Sequence, residues 1–475
     1  MRNVALCLAP LVAAGLLIAC EDDGSTGGGG TFNPDSGTYQ PPPTTTPSPS
    51  DGGADTGSPD GDVGPAPLTV TVMRGNGPAA NVEIVFHDAA GAVISTAKTD
   101  AAGKVVNTGP VPAQVSALLG GSSNRRIHTW TDVADHDQLF VNDTFSADGD
   151  DVTGIYNVTL PGRFQSAVSY KLFAGPCLGA IESDTAPQPY DLYVRLNCQR
   201  PQMSVLARAY DQGNNQYGFA FKKGIAPILD GTTVPVTLGN WAAGTKLDFS
   251  VTNTPTDVSI HGNVLEIADG LGFFAGENVL VANGQTTPVE VAKGFADAHQ
   301  FTGTLSNWES RRSITKRVPS TTTAASLDFA TVLPEISQVG VDGAEPLRPT
   351  VTWSAAGPLG GTDGGGVILW FTDARESMTT WTFTVSPGAT SVKAPAMPAD
   401  AADWLPRAGT GTSSTFQEPE VFFVESDVLS YEQFRSQAGR FVPMDDVNDP
   451  NRADKIVLPQ DGTLRTTQHV YIQPL

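Results

Sequence analysis

Short runs of alternating apolar and polar residues recur from Leu68 onward and set the expected structure. In Leu68-Thr69-Val70-Thr71-Val72 the apolar side chains share one face of an extended strand and the threonines take the other. Strands are expected again at 82–86, 93–98 and 105–106, with turns at Asp88 to Gly91 and Thr99 to Lys104 between them. Two more, 126–131 and 138–141, flank a turn at Asp135-His136-Asp137, and a strand at 155–160 follows the hairpin turn Asp148-Gly149-Asp150-Asp151. The middle of the chain predicts strands at 167–173, 190–197, 203–210, 246–251, 258–267 and 279–282. Pro349 to Trp353, Gly366 to Phe371 and Thr380 to Val385 continue the alternation, with Gly364-Gly365-Gly366 read as a turn. One short helix is expected, Val428 to Arg435, capped by Ser426 or Asp427, with Leu429, Tyr431 and Phe434 near one side as a lid.

The fold class that follows is all-β: several immunoglobulin-like β-sandwich modules in tandem, preceded by a tether. Abundant Gly and Pro (50 and 36) and only 16% charged residues agree with it. Roughly 400 residues after the tether are too many for one core. The expected division is 1–19, an export signal; 20–67, a linker; 68–163, a first sandwich; 164–334, a β-rich middle of one or two modules; and 335–475, a last sandwich. A short echo, Thr237-Leu238-Gly239-Asn240-Trp241 and Thr304-Leu305-Ser306-Asn307-Trp308, fits related modules, equivalent positions in one larger sheet, or chance. Tryptophans there read as packing, with carbohydrate platforms as the alternative.

The N-terminus has the parts of an export signal: Arg2, the apolar run Val4 to Ile18, and small Ala19. Pro10 and Gly15 interrupt a run already short of the about 20 residues a spanning helix needs. It closes on Leu17-Ile18-Ala19-Cys20, which resembles a bacterial lipobox. The resemblance implies cleavage before Cys20 and acylation of its sulfur and amino group, so that two or more chains, each CH₂ worth about 0.8 kcal/mol, anchor the protein durably. Glu21 in place of aspartate implies sorting to the outer membrane, facing either the periplasm or the medium. From Asp23 to Pro67 the composition is mostly Gly, Ser, Thr, Pro and Asp, with too little apolar surface to offset chain entropy. A disordered linker of roughly 45 residues spanning about 35–40 Å is expected.

Two further resemblances concern the body. Gly77-Pro78 ahead of the second strand and Thr99-Asp100-Ala101-Ala102-Gly103-Lys104 after the third resemble the carboxypeptidase regulatory-like group and related bacterial Ig-like repeats, over about 68–119. That implies spacing or docking modules without catalytic residues of their own. Pro349-Thr350-Val351-Thr352-Trp353, the Trp381-bearing strand and Pro395-Ala396-Met397-Pro398 before Trp404 resemble a fibronectin type III or Ig-like sandwich over about 333–475. The whole pattern resembles uncharacterised myxobacterial-type lipoproteins.

A net charge of −22, from 50 acidic and 28 basic residues, argues against nucleic acid and against electrostatic docking on anionic lipid, leaving the lipid as the membrane contact. In the exported part only Cys177 and Cys198 remain besides Cys20, and in an oxidising compartment they read as a disulfide, with a metal-binding or catalytic cysteine as the alternative that no His-Cys neighbourhood supports. It would close a loop of about 20 residues, worth about 3 kcal/mol. His128, Asp132, Asp135, His136 and Asp137 form the densest group of potential ligands, read as a solvated turn with metal binding as the alternative. Asp445, Asp446, Asn448, Asp449, Asn451 and Asp454 make an oxygen-rich loop and a calcium candidate, although EF-hand spacing is not met, and the Asp148 to Asp151 turn is a second place where calcium could bind. No other cofactor is suggested. Nucleophile-elbow, His-Glu-x-x-His and phosphate-loop motifs are absent, and the six histidines are scattered.

The expected function is that of a non-enzymatic, lipid-anchored envelope lipoprotein that binds, adheres or supports structure, with polysaccharide or envelope and cell-surface proteins as partners. The alternative is a lipid-anchored glycan hydrolase, which needs two carboxyl groups about 5–9.5 Å apart in a cleft.

Overall fold

The computed structural model describes residues 67–74, 77–120, 125–142, 152–174, 181–183, 189–195, 201–213, 215–228, 230–255, 260–307, 309–373, 375, 377–407, 416–436, 457–458 and 460–470. The architecture is all-β, as the alternation predicts. Among the described residues, four large hydrophobic cores each lie between two sheets.

The first sandwich comprises β1 (Thr69–Arg74), β2 (Gly77–Pro78), β3 (Glu83–His87), β4 (Val93–Lys98), β5 (Lys104–Val106), β6 (Gln114–Leu119), β7 (Arg126–Trp130) and β8 (Gln138–Asn142). β1 pairs antiparallel with β5 and parallel with β8, facing a sheet ordered β4-β3-β6-β7. The second comprises β9 (Val152–Thr159), β10 (Ser169–Phe173), β11 (Ile181–Ser183), β12 (Pro189–Arg195), β13 (Met203–Tyr210), β14 (Gln216–Ile225), β15 (Thr233–Thr237) and β16 (Ala242–Ala243). β9 pairs antiparallel with β12 and parallel with β15, facing β11-β10-β13-β14. The third comprises β17 (Thr245–Thr252), β18 (Ile260–Ala268), β19 (Leu271–Val281), β20 (Thr286–Val291), β21 (Ala298–Ser306), β22 (Ser310–Pro319) and β23 (Ala324–Asp328). Again β17 pairs antiparallel with β20 and parallel with β23, facing β19-β18-β21-β22. One connection pattern is thus drawn three times.

The last sandwich differs. β24 (Ile336–Asp342), β25 (Thr350–Ala355) and β28 (Ser391–Lys393) form one sheet. β26 (Gly364–Thr372), β27 (Met378–Val385), β29 (Glu420–Ser426) and β30 (Gly462–His469) form the other, in the order β30-β29-β26-β27.

These sandwiches are joined edge to edge. β30 pairs with β22 from Ser310↔His469 to Arg317↔Gly462, and β27 runs parallel to β7 from Thr380↔Arg126 to Thr384↔Trp130. The result is one twelve-stranded sheet, β19-β18-β21-β22-β30-β29-β26-β27-β7-β6-β3-β4, in which the last sandwich bridges the first and the third. Each join satisfies backbone groups that would otherwise form exposed edges.

Simple alternation fails where one sandwich covers the outer face of another. Leu118 and Ile127 of the first sandwich belong to the core of the last, beside Val351, Trp381 and Leu405, so β6 and β7 are buried on both faces. β13 is buried along its whole length, because Leu271, Phe273 and Phe295 of the third sandwich reach into the second core.

Several expectations are relocated. The 155–160 strand, assigned to the first module, is β9 and pairs with β12 and β15, so the first sandwich ends at Asn142 and the middle region holds two cores. The echo does not mark equivalent places: Thr237 ends β15, the seventh strand of the repeated pattern, whereas Thr304 to Ser306 end β21, the fifth. Gly364 to Gly366 begin β26 instead of forming a turn; a Cβ on Gly366 would lie 2.4 Å from the Phe422 ring. The helix, α1, spans Tyr431–Ser436. Ser430 caps it with Gln433 in a reciprocal pair: the Gln433 N–H donates to Ser430 Oγ at 3.3 Å and the Ser430 N–H to Gln433 Oε1 at 2.9 Å. Asp427 instead accepts from Thr463 N–H. The lid expectation holds, with Leu429, Tyr431 and Phe434 packed on Phe422 and Val424.

Turn chemistry is also repeated. Asp88, Asp100, Asp211 and Asp373 each accept, through Oδ1, the N–H groups two and four residues on, at 2.8–2.9 Å.

Candidate functional site

The histidine and aspartate group at 128–137 does not converge on a point. His128 is turned into the protein, where its Nε2 meets Thr384 Oγ1 at 3.1 Å and burial pushes its pKa down to about 3. Asp137 is almost fully buried; its Oδ2 accepts the Ala134 N–H at 2.7 Å and pairs with Arg435 of α1. Arg435 also donates to Asp132 O at 2.8 Å and lies 4.5 Å over the Tyr431 ring. Asp135 and His136 form an exposed pair at 2.9 Å. The group is a clasp between the first and last sandwiches. Arg125 adds to it, donating to Asp403 O at 2.8 Å and stacking 4.4 Å over Trp404.

A Ser–His contact lies on the opposite face of the same strands. His87 Nε2 meets Ser116 Oγ at 3.0 Å, Ser116 Oγ meets Thr129 Oγ1 at 2.8 Å, and Trp381 Nε1 donates to Thr129 Oγ1 at 2.9 Å. The pairing would suit an activated nucleophile, but all four side chains are fully buried and burial holds His87 down at about 4. This polar rung therefore ties β3, β6 and β7 to β27.

The second and third sandwiches meet around Arg208 and Glu266, 3% and 0% exposed, with Nη2–Oε2 at 3.0 Å. Glu266 Oε1 accepts the Ala292 N–H at 2.8 Å, and Arg208 also donates to Phe274 O and stacks on Phe173. Gln216 bridges the same junction, donating to Ala275 O and Glu290 O at 2.7 and 2.8 Å.

One open groove, of about 570 Å³, lies in the last sandwich, lined by Val341, Asp342, Gly343, Ala344, Phe416, Gln417 and Glu418. Both its carboxylates have partners: Asp342 Oδ1 accepts the Ala344 N–H at 2.9 Å, and Glu418 Oε1 meets buried His469 Nε2 at 3.0 Å.

Cys20, Cys177, Cys198 and the calcium candidates Asp446, Asn448, Asp449, Asn451 and Asp454 lie outside the described residues, as do Asp148 to Asp151 and Trp308. Among the described residues no group of three or more His, Cys, Asp or Glu is placed to hold a metal ion. The residues that sequence reasoning missed are Arg208, Glu266, Ser116 and Thr129. For Ser116 in Val115 to Leu119 and Glu266 in Val264 to Ala268 the signal was present, a single polar residue inside an apolar run; Arg208 shares its strand with Ser204, and Thr129 stands beside His128.

No family model matches the chain, and no curated protein matches it. Among solved structures, the Bacillus anthracis TIE protein is similar at 8% identity over 55% of this chain and 50% of that one, with a TM-score of 0.13. The chain spans half the length of that protein, and a likeness at this TM-score carries no argument about fold or role.

Proposed function

We propose that the chain is a lipid-anchored envelope lipoprotein, held in the outer membrane by acyl groups on Cys20, whose joined sandwiches act as a non-enzymatic binding, adhesion or structural body. The observation that carries this reading is where the chemistry-bearing side chains go. His87, Ser116, His128, Asp137, Arg208 and Glu266 are buried and hold one sandwich to the next. A body locked in this way presents fixed surfaces on the end of a long tether.

The strand orders support the family resemblances. The thrice-repeated pattern suits a carboxypeptidase regulatory-like module, and β24-β25-β28 over β30-β29-β26-β27 suits a fibronectin type III sandwich. Polysaccharide or cell-surface protein is the partner class, with the Phe416 groove as the candidate contact. A Cys177–Cys198 disulfide would link the segments after β10 and β12, which lie in opposing sheets of the second sandwich. Non-reducing peptide mapping should recover the two cysteines in one linked species.

The test is metabolic labelling with a palmitate analogue, in wild type and Cys20→Ala, followed by protease shaving of intact and lysed cells. Label in the wild type alone is expected. Body peptides released from intact cells would place the partner in the medium, and release only after lysis would place it in the periplasm. Hydrolysis of glycans by the purified protein would overturn the non-enzymatic reading.

A further inference from the structure

We infer that the chain self-associates through β4, two copies pairing edge to edge and continuing the twelve-stranded sheet from one molecule into the next. β4 is one end of that sheet, bonded to β3 alone. Register and hydrogen bonding identify what it presents. The Thr99 N–H donates to Val82 O, and the pairs Ile84↔Ala97 and Phe86↔Ser95 share that parity. Alternation along an antiparallel ladder then turns the N–H and C=O groups of Thr96 and Lys98 outward.

Most other edges among the described residues are blunted, including β19 at the far end of the twelve-stranded sheet, whose pairing with β18 shifts register twice; β8 and β23 are five-residue edges of the smaller sheets. β5, β11 and β28 have three residues each, β15 and β20 carry Pro235 and Pro288, and β24 is bulged between Ser337 and Gly340. β4 runs for six residues without proline; its one register shift falls at Ile94, near its start, and leaves Ser95 to Lys98 in regular pairing. Such an edge is a template for another strand.

Three observations select a second copy as the occupant. The pairing continues a device the chain already uses twice on itself, at β22–β30 and β7–β27. Val93–Lys98 has no acidic residue in a chain of net charge −22, so no acid–acid repulsion opposes the approach of two copies along the strand itself. Val93 and Ile94, each 38% exposed, supply β-branched side chains for cross-strand contacts. The strand is also held in place: Arg348 Nη2 donates to Ala90 O at 2.7 Å and the Ala396 N–H to Gly91 O at 2.8 Å, fixing the β3–β4 turn against the last sandwich. Little ordering entropy remains to be lost on pairing.

Sedimentation velocity tests this on the chain without residues 1–19 and with Cys20→Ala, so that failure leaves the anchor reading untouched. A concentration-dependent monomer–dimer equilibrium is expected below about 100 μM, a range that confinement of tethered copies would reach. Thr96→Pro removes one outward N–H and keeps the bonds to β3, and should yield monomer with an unchanged circular dichroism spectrum. If that variant misfolds, Ile94→Glu places acid on the edge and should raise the dissociation constant at least tenfold. A wild-type chain that stays monomeric, or a dimer that survives the folded variant, overturns the inference and assigns the edge to another partner or to none.

Discussion

Replacing Arg208 with Met tests whether buried charge holds the second and third sandwiches together. Glu266 is fully buried and its nearest countercharge is the Arg208 guanidinium at 3.0 Å. Breaking a buried pair by removing one member costs about 3–5 kcal/mol, because the remaining charge is left uncompensated. Burial pushes the Glu266 carboxyl from 4.5 up to about 7, while Arg208 and the Ala292 N–H pull it back down. A carboxyl whose folded value is raised contributes stability that is full below about 4.5 and is lost as pH rises through 7. Without the guanidinium the carboxyl moves higher still, so in the variant that loss extends into the alkaline range. The gap between wild type and Arg208→Met should therefore reach about 3–5 kcal/mol near pH 8 and widen above pH 7 by at most about 1.4 kcal/mol per pH unit. It should narrow on acidification, when a protonated Glu266 no longer needs its partner.

Four cores in one chain give no single unfolding free energy, so the assay must be local. Hydrogen exchange of peptides covering β13 and β18, read by mass spectrometry from pH 5 to 9 with correction for intrinsic rates, reports opening of this junction. Arg208→Met/Glu266→Leu removes both charges and should recover most of the loss. A gap that ignores pH, or a double variant as unstable as the single one, would refute the reasoning.

Trp381→Phe keeps an aromatic side chain but removes the 2.9 Å donor to Thr129 together with part of a buried indole, and should cost at least about 1–3 kcal/mol of protection in β7; no change in exchange there would show the rung to be incidental. Gly103→Ala should destabilise the first sandwich by more than about 1 kcal/mol in thermal melts, since φ is +70° and the new Cβ would lie 2.4 Å from Val72 O; an unchanged melting temperature would contradict this. Ser430→Ala should cost about 1 kcal/mol through its cap and raise proteolysis near α1. His87 and His128 are held below 6.5 by burial, at about 4 and about 3, so stability present above pH 6.5 is lost as pH falls towards those values. Exchange in β7 should rise on acidification towards pH 4, and constant protection would count against it.

The strands were legible because alternation is a local property, and Leu68 to Val72 or Thr380 to Val385 state their buried face outright. Their grouping was not, because it depends on partners far away in the chain. Ile155 to Leu160 reads equally well as the end of one sandwich or the start of another, and only pairing with Tyr190 to Val194 and Val234 to Thr237 decides it. The edge joins were hidden for the same reason. Nothing local in Arg126 to Trp130 indicates that Thr380 to Thr384 will lie parallel beside it.

The densest ligand-like group misled because sequence proximity was taken for convergence. On a strand, His128 and Thr129 point to opposite faces; here one meets Thr384 and the other Trp381, both on the neighbouring sandwich. The same period of two offers a better reading. An isolated Ser116 in Val115 to Leu119, Arg208 in Met203 to Tyr210 or Glu266 in Val264 to Ala268 would be expensive to bury without a partner. Each therefore implies a complementary group: Arg208 and Glu266 meet across two sandwiches, while Ser116 is met by His87 and Thr129 of its own sheet and, through Thr129, by Trp381 of the last sandwich. Such strands imply sandwiches packed on one another, which beads on a string would not require. On that logic Gln300, buried in β21, also requires an external partner, and the Leu458 N–H donates to its Oε1 at 2.9 Å from the segment that leads into β30. Polar residues inside apolar strands thus locate the joints of this molecule, and the joints account for its buried chemistry.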